Sequence, residues 1–324
     1  MTQFGAWGVS VFLILSGFLM IYSYHDRSIV CDFISSVQFA IKKIKALYPL
    51  HILTLIATVP FYLWTVGNAD FYKKLFSNAF LLQSWFGESS VYFSFNGVAW
   101  YLSTCVLLYF AFPLIHKLIR CYKTKKHAYL GILLTFMLQI ILAFLSNNMV
   151  VSSSFTDNYS KWFTYIFPVF RLGDFFIGCS LGYIFLHRRE AQHKFATTFC
   201  ELVTFLLIAT SLYLYDTQIS LGGLEWYRYT LLYSPTSVLL VYLFAQNQGY
   251  LTKLLANPVL IHLGNISAYT FLIHPVVIRY INKVFFTIKG YTILPWKLAV
   301  LAFVLTWIAS VLYQQIERKC SAIS

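Results

Sequence analysis

The segment FTYIFPVFRLGDFFIGCSLGYIFL (163–186) determines the class of this protein. Its 24 residues are mostly apolar, and they are long enough to cross the hydrocarbon core of a bilayer as an α-helix. The two charged residues within it, Arg171 and Asp174, are three positions apart and therefore share one face of such a helix. The segment thus indicates a membrane span that contains an ion pair.

Composition places the rest of the chain in the same environment. Only 11% of the 324 residues are Asp, Glu, Lys or Arg, against roughly 25% in a soluble protein. Hydrophobic residues make up 59%, and the mean hydropathy is +0.68. A soluble fold would have too few charges to cover its apolar surface. We therefore expect an integral membrane protein without a water-soluble domain of any size.

Apolar segments of about 17–25 residues can span a bilayer as helices. We predict an all-α, polytopic transmembrane helix bundle of about nine spans, which form a single domain over residues 1–324. The spans are expected near residues 4–24, 47–66, 98–118, 129–147, 163–186, 199–215, 229–246, 263–281 and 296–316. Two further apolar segments, 28–45 and 71–86, contain lysines and are expected to form helices at the membrane surface.

The basic residues indicate topology rather than a nucleic-acid partner. The formal net charge is +13, but Lys and Arg fall mainly in short connections between the spans. Fifteen of them lie in one set of alternate connections and six in the other, and the richer set is normally cytoplasmic. We expect a multi-pass protein in a lipid bilayer, with a cytoplasmic C-terminus and residue 1 on the outer side.

The charged pair in span 163–186 is the first candidate for a functional site. Ionisable groups at membrane depth cost about 2.5–3.5 kcal/mol each on insertion scales. In a functional interpretation, Arg171 binds an anionic or carbonyl-bearing substrate and Asp174 orients it; in a structural interpretation, the two form an ion pair between helices. Pro168 is expected to interrupt the backbone hydrogen bonds nearby. Gly178 and Gly182 are spaced for close packing against another helix.

Histidines supply candidates for a general base. His274 could act as one at neutral pH, or it could donate to a carbonyl of a neighbouring helix. His51 and His116 lie near the ends of spans, and we interpret them as interfacial side chains.

Three lysines precede the second span. Lys42, Lys43 and Lys45 are expected at the cytoplasmic surface of the membrane. They either anchor the chain to anionic lipid or bind a polyphosphate-bearing donor from the cytosol. No metal site is expected, because the sequence contains no CxxC and no His–Cys spacing typical of one.

Five segments resemble, in order, the signature segments of the acyltransferase 3 family, which are bacterial integral membrane proteins that acylate surface glycans. The segments are GVSVFLILSGFLM (8–20), KKIKALYPL (42–50), AWYLSTCVLLYFAFPLI (99–115), FRLGDFFIG (170–178) and LGNISAYTFLIHP (263–275). Each is weak by itself, but their order makes the resemblance strong, and it extends over nearly the whole chain.

The resemblance implies a ten-helix bundle in the bacterial inner membrane. It also implies acyl-CoA, commonly acetyl-CoA, as a donor from the cytoplasm, and a glycan hydroxyl as the acceptor. The catalytic candidates that it supports are Arg171, Asp174 and His274. The donor-binding candidates are Lys42, Lys43 and Lys45. The substrate-binding candidates are Trp100, Ser103, Asn265, Ser267 and Tyr269.

The chain departs from the family pattern in two ways. It opens on what resembles the second helix, so we expect the first helix to be missing; in the family that helix carries a basic residue and, eleven positions later, the presumed catalytic histidine. In addition, Ser10 stands where an aspartate is usual, Cys105 where many members have glutamate, and Ala46 where an arginine is usual.

We therefore predict a membrane-bound O-acyltransferase. A histidine would deprotonate the acceptor hydroxyl, and Arg171 or helix dipoles would stabilise the oxyanion. Two alternatives stay open at this point. One is a polytopic transporter or glycan flippase, which also carries intramembrane charges but usually has internal repeats. The other is a truncated acyltransferase without activity.

Overall fold

The computed structural model describes residues 3–65, 70–152, 157–188, 194–216, 227, 229–290 and 293–323. Every regular element in these ranges is helical, which confirms the predicted all-α class. In chain order the α-helices are α1 (Gln3–Tyr24), α2 (Phe33–Ile44), α3 (Tyr48–Thr65), α4 (Phe71–Ala79), α5 (Ser89–Tyr92), α6 (Trp100–Arg120), α7 (Lys125–Ser152), α8 (Asp157–Lys161), α9 (Pro168–Leu186), α10 (Lys194–Asp216), α11 (Ser234–Ala245), α12 (Tyr250–Leu255), α13 (Pro258–Lys289) and α14 (Pro295–Ile323).

The chain is organised in two compact units. Unit 1 comprises residues 1–43 and 104–256, and unit 2 comprises residues 44–103 and 257–324. In unit 1, α9 packs against α1 and α7, and α11 packs against α1 and α10. In unit 2, the long helices α13 and α14 pack against each other, and α3 packs against α13 and α4. Each unit therefore has a helical core of its own.

The helices include enough long apolar segments for a polytopic membrane protein. Within the described ranges, seven helices are long and apolar enough to cross a bilayer, and α2 with α3 makes an eighth if this pair, bent by 61°, is one span. The remaining predicted span, 229–246, corresponds to the shorter apolar helix Thr230–Ala245, whose first turn is π-helical. The multi-pass membrane class is thus confirmed.

The exposed side chains of α7 indicate that this helix is surrounded by lipid rather than by water. Its side chains Leu130, Leu133 and Leu134 are 52%, 55% and 59% exposed. A row of half-exposed leucines would be unfavourable in water, because each Å² of apolar surface that is removed from water stabilises a protein by about 25 cal/mol. Contact with lipid acyl chains removes that cost, so this face of α7 is expected to face the bilayer.

The amphipathic helix predicted in segment 28–45 forms as α2. It begins after Asp32, whose carboxylate accepts a hydrogen bond from the backbone N–H of Ser35 at 2.9 Å. The Ser35 hydroxyl donates to the same carboxylate, and this bond together with the backbone bond lowers the pKa of Asp32. The apolar side chains of Phe33 and Ile34 are exposed, whereas Ser36 is buried. An exposed apolar face beside lysines is typical of a helix that lies on a membrane surface.

The segment 71–86 forms the helix α4 and a 3₁₀ turn, and α4 has an exposed apolar face with Tyr72 and Phe76 at its surface. Its helix α4 buries the polar residues Lys74, Ser77 and Asn78. The hydroxyl of Tyr48, at the start of α3, donates to the carbonyl oxygen of Ala79, at the end of α4, at 2.9 Å. The side chains of Ser77 and Asn78 find hydrogen-bond partners inside unit 2, whereas Lys73 stays exposed and pairs with Glu88.

The position of Pro168 determines where helix α9 begins. Phe167 has the extended conformation that a following proline favours (φ −61°, ψ 123°), and Pro168 takes the first helical position, where no N–H is needed. A π-helical turn, Trp162–Ile166, precedes it directly. As predicted, the backbone ladder is interrupted one turn before Arg171.

Candidate functional site

The charged pair predicted from the sequence lies in the core of unit 1. Nη1 of Arg171 is 2.8 Å from Oδ2 of Asp174, and both side chains have no exposed surface. Their spacing of three residues on α9 brings the two side chains onto the same face of the helix. The pair is therefore an intrahelical ion pair that is completely removed from solvent.

Three other helices bind this ion pair. The hydroxyl of Ser234, on α11, donates to Oδ1 of Asp174 at 2.7 Å, and Nε2 of Gln139, on α7, lies 3.3 Å from the same oxygen. Nη2 of Arg171 donates to the hydroxyl oxygen of Ser10, on α1, at 2.9 Å. Hydrogen bonds to ionised groups are about twice as strong as neutral ones, so the pair is a polar junction of four helices.

Arg171 keeps donors that the hydrogen bonds of the junction do not use. Its Nε and Nη1 are buried without a hydrogen-bond partner in the described part of the chain, although Nη1 lies 2.8 Å from Oδ2 of Asp174. The guanidinium carbon lies 5.8 Å from the centre of the Tyr165 ring. A buried guanidinium N–H without an acceptor costs about 1–3 kcal/mol or more, and a carbonyl or oxyanion that accepts from it would remove this cost.

Glycines set the distance between α9 and α1. A Cβ at Gly178 would lie 2.0 Å from the carbonyl oxygen of Ile14, and a Cβ at Gly17 would lie 2.1 Å from the carbonyl oxygen of Phe175. Each helix therefore presents a glycine to the backbone of the other. A Cβ at Gly182 would also be only 2.9 Å from the carbonyl oxygen of Phe18. The predicted packing role of Gly178 and Gly182 is confirmed.

A second buried carboxylate in unit 1 has a structural partner. Oε2 of Glu201, on α10, accepts from the backbone N–H of Leu251 at 3.2 Å, and its Oε1 accepts from the hydroxyl of Thr252. Glu201 therefore caps the first turn of α12. We do not count it among the candidates for catalysis.

The three candidate donor-binding lysines lie at and after the end of α2. Lys42 and Lys45 are exposed, and Lys43 is half-buried. Nζ of Lys43 lies 4.7 Å from the centre of the Tyr24 ring and 5.7 Å from that of Phe39. Two of the three ammonium groups are thus accessible to a soluble anion, and the third packs on aromatic faces.

The remaining candidates lie in unit 2. Nδ1 of His274 is 3.1 Å from the carbonyl oxygen of Thr270, one turn earlier on α13. The hydroxyl of Tyr269 donates to a carboxylate oxygen of Glu317, on α14. On the same helix as His274, Asn265 is exposed and Ser267 is half-buried. These four residues follow one helix and do not form a single hydrogen-bonded group.

The candidates at the start of α6 are buried. Trp100 is 1% exposed and Ser103 is 0% exposed. The Ser103 hydroxyl oxygen lies 2.6 Å from that of Ser84 and 3.4 Å from the Ser84 backbone nitrogen. Ser84 belongs to the 3₁₀ turn Gln83–Trp85, which the sequence did not single out.

A network centred on His51 in unit 2 was missed by the sequence analysis. The sequence places His51 among interfacial side chains, whereas the structure buries it completely. Its Nε2 is 2.9 Å from the carbonyl oxygen of Asn78 on α4. Nδ2 of Asn78 donates to the hydroxyl of Ser94 at 2.6 Å, and Nδ2 of Asn96 donates to Thr54 on α3 at 3.1 Å. The feature of the sequence that could have revealed this network is the number of polar residues in otherwise apolar segments.

Comparison with known proteins identifies the family. Residues 1–314 match a family model described as an acyltransferase domain. A stretch of 123 residues, 37% of this chain, is 33% identical to the acyltransferase MdmB of Streptomyces mycarofaciens and spans only 30% of that protein. No solved structure matches the chain. Since the family model covers nearly all of the sequence, the chain belongs to the acyltransferase 3 family.

Proposed function

We propose that this chain is a membrane-bound O-acyltransferase, specifically an O-acetyltransferase. It moves an acetyl group from cytoplasmic acetyl-CoA to a hydroxyl of a cell-surface glycan or of the lipid-linked precursor of that glycan. The observation that carries the proposal is the buried pair Arg171–Asp174, whose arginine retains an unused donor at Nε. Membership of the acyltransferase family supports the reaction class.

In the proposed reaction, Arg171 stabilises charge that develops on the acyl group. The acceptor oxygen forms a bond to the thioester carbonyl carbon, which gives a tetrahedral intermediate with negative charge on the former carbonyl oxygen. The C–S bond then breaks, and coenzyme A leaves as a thiolate that takes up the proton lost by the hydroxyl. Donors that are already oriented in a water-excluded site are effective at this step. Asp174, held by Ser234 and Gln139, keeps the guanidinium in place. We further propose His274 as the group that accepts the hydroxyl proton.

The donor is proposed to bind at Lys42, Lys43 and Lys45. Coenzyme A carries several phosphate charges, and exposed ammonium groups next to the membrane attract them from the cytosol. We propose that the chain lies in the bacterial inner membrane with its C-terminus in the cytoplasm and residue 1 on the outer side. On the basis of the resemblance, Trp100, Ser103, Asn265, Ser267 and Tyr269 are proposed to contact substrate.

The lysine cluster gives a direct test of donor binding. Replacement of Lys42, Lys43 and Lys45 by glutamine is expected to weaken acetyl-CoA binding at least tenfold at low salt, because three cations are removed from a phosphate-binding surface. The affinity of the unchanged protein should fall as salt is raised, and that of the variant should change much less. Binding is measured as the acetyl-CoA-dependent rise in melting temperature of protein in lipid nanodiscs.

A second lysine cluster provides the matched control. Replacement of Lys123, Lys125 and Lys126, which lie in another connection predicted to be cytoplasmic, removes the same charge and should leave the affinity within about twofold, as expected from screened surface charges. If both triple variants weaken acetyl-CoA binding equally, the first cluster acts only through the general positive potential of the surface and is not a specific binding site. If acetyl-CoA has no effect on the unchanged protein at any salt concentration, the proposal that acetyl-CoA is the donor fails.

A further inference from the structure

One buried charge in unit 2 has no compensating partner. The charged side chains that are buried in the described part of the chain are Lys74, Arg171, Asp174 and Glu201. Arg171 and Asp174 pair with each other, and Glu201 accepts hydrogen bonds from the first turn of α12. Lys74, on α4, is only 6% exposed, yet its Nζ forms no hydrogen bond or ion pair with any described residue.

The acidic residues close to Lys74 in sequence do not neutralise it. Glu88 pairs with the neighbouring lysine, since its Oε1 lies 2.8 Å from Nζ of Lys73, whose side chain is 42% exposed. Asp70 precedes Lys74 by one helical turn, but no ion pair joins the two. Two adjacent lysines on α4 therefore differ in kind, because one is an exposed, paired cation and the other is a buried, unpaired one.

The ammonium group of Lys74 can still be reached. Its Nζ has no partner, and it does not belong to the unpartnered polar atoms that are sealed from solvent. Nζ therefore retains accessible surface, although most of the side chain is enclosed. Accessible surface is surface that a water-sized sphere can touch. An oxygen atom of a ligand can touch it as well.

The backbone that follows α4 supports an accessible space inside unit 2. This segment contains only short helical turns, and Leu81 and Phe95 have positive φ angles of 55° and 52°. Nδ2 of Asn96 donates to the carbonyl oxygen of Leu272, which lies in the middle of α13, a helix long enough to span a bilayer. Irregular backbone at such a depth occurs where it is buried in protein or lines a water-filled cavity. The accessible Nζ of Lys74 fits the second case.

An anion is the partner that this lysine favours. Removal of an ammonium group from water has a desolvation cost that an opposite charge offsets best. A neutral hydroxyl or carbonyl oxygen can accept a hydrogen bond from Nζ but leaves the charge uncompensated. A phosphate or carboxylate oxygen does both through a charge-assisted hydrogen bond. The predicted topology places the connection after the second span, which contains Lys74, on the outer side.

We propose that Lys74 binds an anionic oxygen group, a phosphate or a carboxylate, of a ligand that enters unit 2. The identification of this ligand with the acyl acceptor, as a glycan with an acidic sugar or a phosphate-linked precursor, rests on the proposed transferase function. The site itself rests only on the burial, the charge and the accessibility of Lys74.

The first test compares probes that differ in charge. Sodium glucuronate, sodium phosphate and the neutral methyl β-D-glucoside are titrated into the full chain in nanodiscs of zwitterionic lipid, and the melting temperature is measured. Sodium chloride keeps the ionic strength constant, so that general screening does not change. At least one anion should raise the melting temperature, and the neutral sugar should not.

The pattern of response identifies the anion. A rise with glucuronate alone supports an acidic sugar, a rise with phosphate alone supports a phosphate-linked ligand, and a rise with both supports an anion site without preference. The proposal is overturned if neither anion raises the melting temperature, or if the neutral sugar raises it equally.

A pair of adjacent lysine variants tests the residue itself. The apparent dissociation constant for the responding anion should rise at least about tenfold in Lys74→Met, as expected for the loss of a hydrogen bond to a charged group. Lys73→Met is the control and should change it by less than about twofold, because exposed ion pairs contribute little. Lys74→Arg keeps the charge and should keep the response. Equal weakening in Lys74→Met and Lys73→Met would contradict the assignment.

The stability of the variant without a probe gives a second readout. Lys74→Met should melt at the same temperature as the unchanged protein or above it, because it removes a buried charge without removing a partner of that charge. A clear fall would show that the ammonium group is already compensated within the protein and would contradict the proposal.

Parallel titrations separate this proposal from the proposed function. Acetyl-CoA is added to the same samples without the other probes. An anion-dependent rise without an acetyl-CoA-dependent rise would support the Lys74 site and contradict acetyl-CoA as the donor. The reverse result would keep the donor and overturn the Lys74 site. Loss of the acetyl-CoA response in Lys74→Met would support anion binding but overturn the identification of the ligand with the acceptor.

Discussion

Replacement of Arg171 by methionine is expected to abolish acyl transfer and to lower the free energy of unfolding by about 3–5 kcal/mol. The variant leaves the carboxylate of Asp174 fully buried, with Ser234 and Gln139 as its remaining partners. It also removes the Nε donor that is proposed to bind the acyl oxygen. Transfer to a glycan acceptor and thermal unfolding in lipid nanodiscs measure the two effects.

A double variant separates the structural role of the pair from its catalytic role. Arg171→Met combined with Asp174→Asn removes both charges while the asparagine oxygen can still accept from Ser234. Stability should then recover most of the lost free energy, because no unpaired charge is left in the core. Transfer should stay absent. Wild-type transfer by the double variant would show that the pair only holds helices together.

Arg171→Lys refines the same experiment. Lysine keeps the positive charge beside Asp174 but lacks Nε and the planar fork of donors. We expect a folded protein whose kcat is reduced at least a hundredfold, in line with the loss of one oxyanion donor. Unchanged kcat would contradict a specific role for Nε and leave charge alone as the requirement.

The second large effect is expected at the contact between α1 and α9. Gly17→Ala places a methyl group 2.1 Å from the carbonyl oxygen of Phe175, which is backbone and cannot move without shifting α9. Overpacking typically costs 1–3 kcal/mol, and we expect a loss of about 3 kcal/mol or more here because the obstacle is a helix backbone. The measurements are the melting temperature and the yield of monodisperse protein in detergent.

Gly8→Ala is the matched control on the same helix. A Cβ at Gly8 meets no atom within 4 Å, and alanine has a higher helix propensity than glycine by about 1 kcal/mol. Its melting temperature should therefore be equal to or slightly above that of the unchanged protein. If Gly8→Ala and Gly17→Ala behave alike, close approach of the two backbones does not limit stability.

The features of the fold that follow from periodicity and length could be predicted from the sequence. Apolar segments of sufficient length became long helices, and the charged residues in segment 163–186 became an ion pair because three residues always bring two side chains to one helical face. The close packing of Gly178 against another helix could be predicted from the size of glycine, because a residue without a side chain permits the closest approach of two helices.

Contacts between distant residues could not be predicted in the same way. His51 reaches Asn78 across 27 positions, and Asn96 reaches Leu272 across 176. No periodicity in one helix identifies such partners. Lysines near the start of α4 suggested a helix at the membrane surface, but the buried hydrogen bonds of Asn78 on the other face of α4 could not be predicted from that pattern. Likewise, Gln139 became a ligand of Asp174 only through the packing of α7 on α9.

The junction at Asp174 has a consequence for membrane assembly. A shift of α9 by one residue along its sequence would rotate its side chains by about 100° and turn Arg171 and Asp174 away from Ser10, Gln139 and Ser234. Each charge left facing lipid costs about 2.5–3.5 kcal/mol, whereas the apolar positions around it discriminate poorly between alternative packings. The ion pair thus makes one register of α9 more favourable than its neighbours.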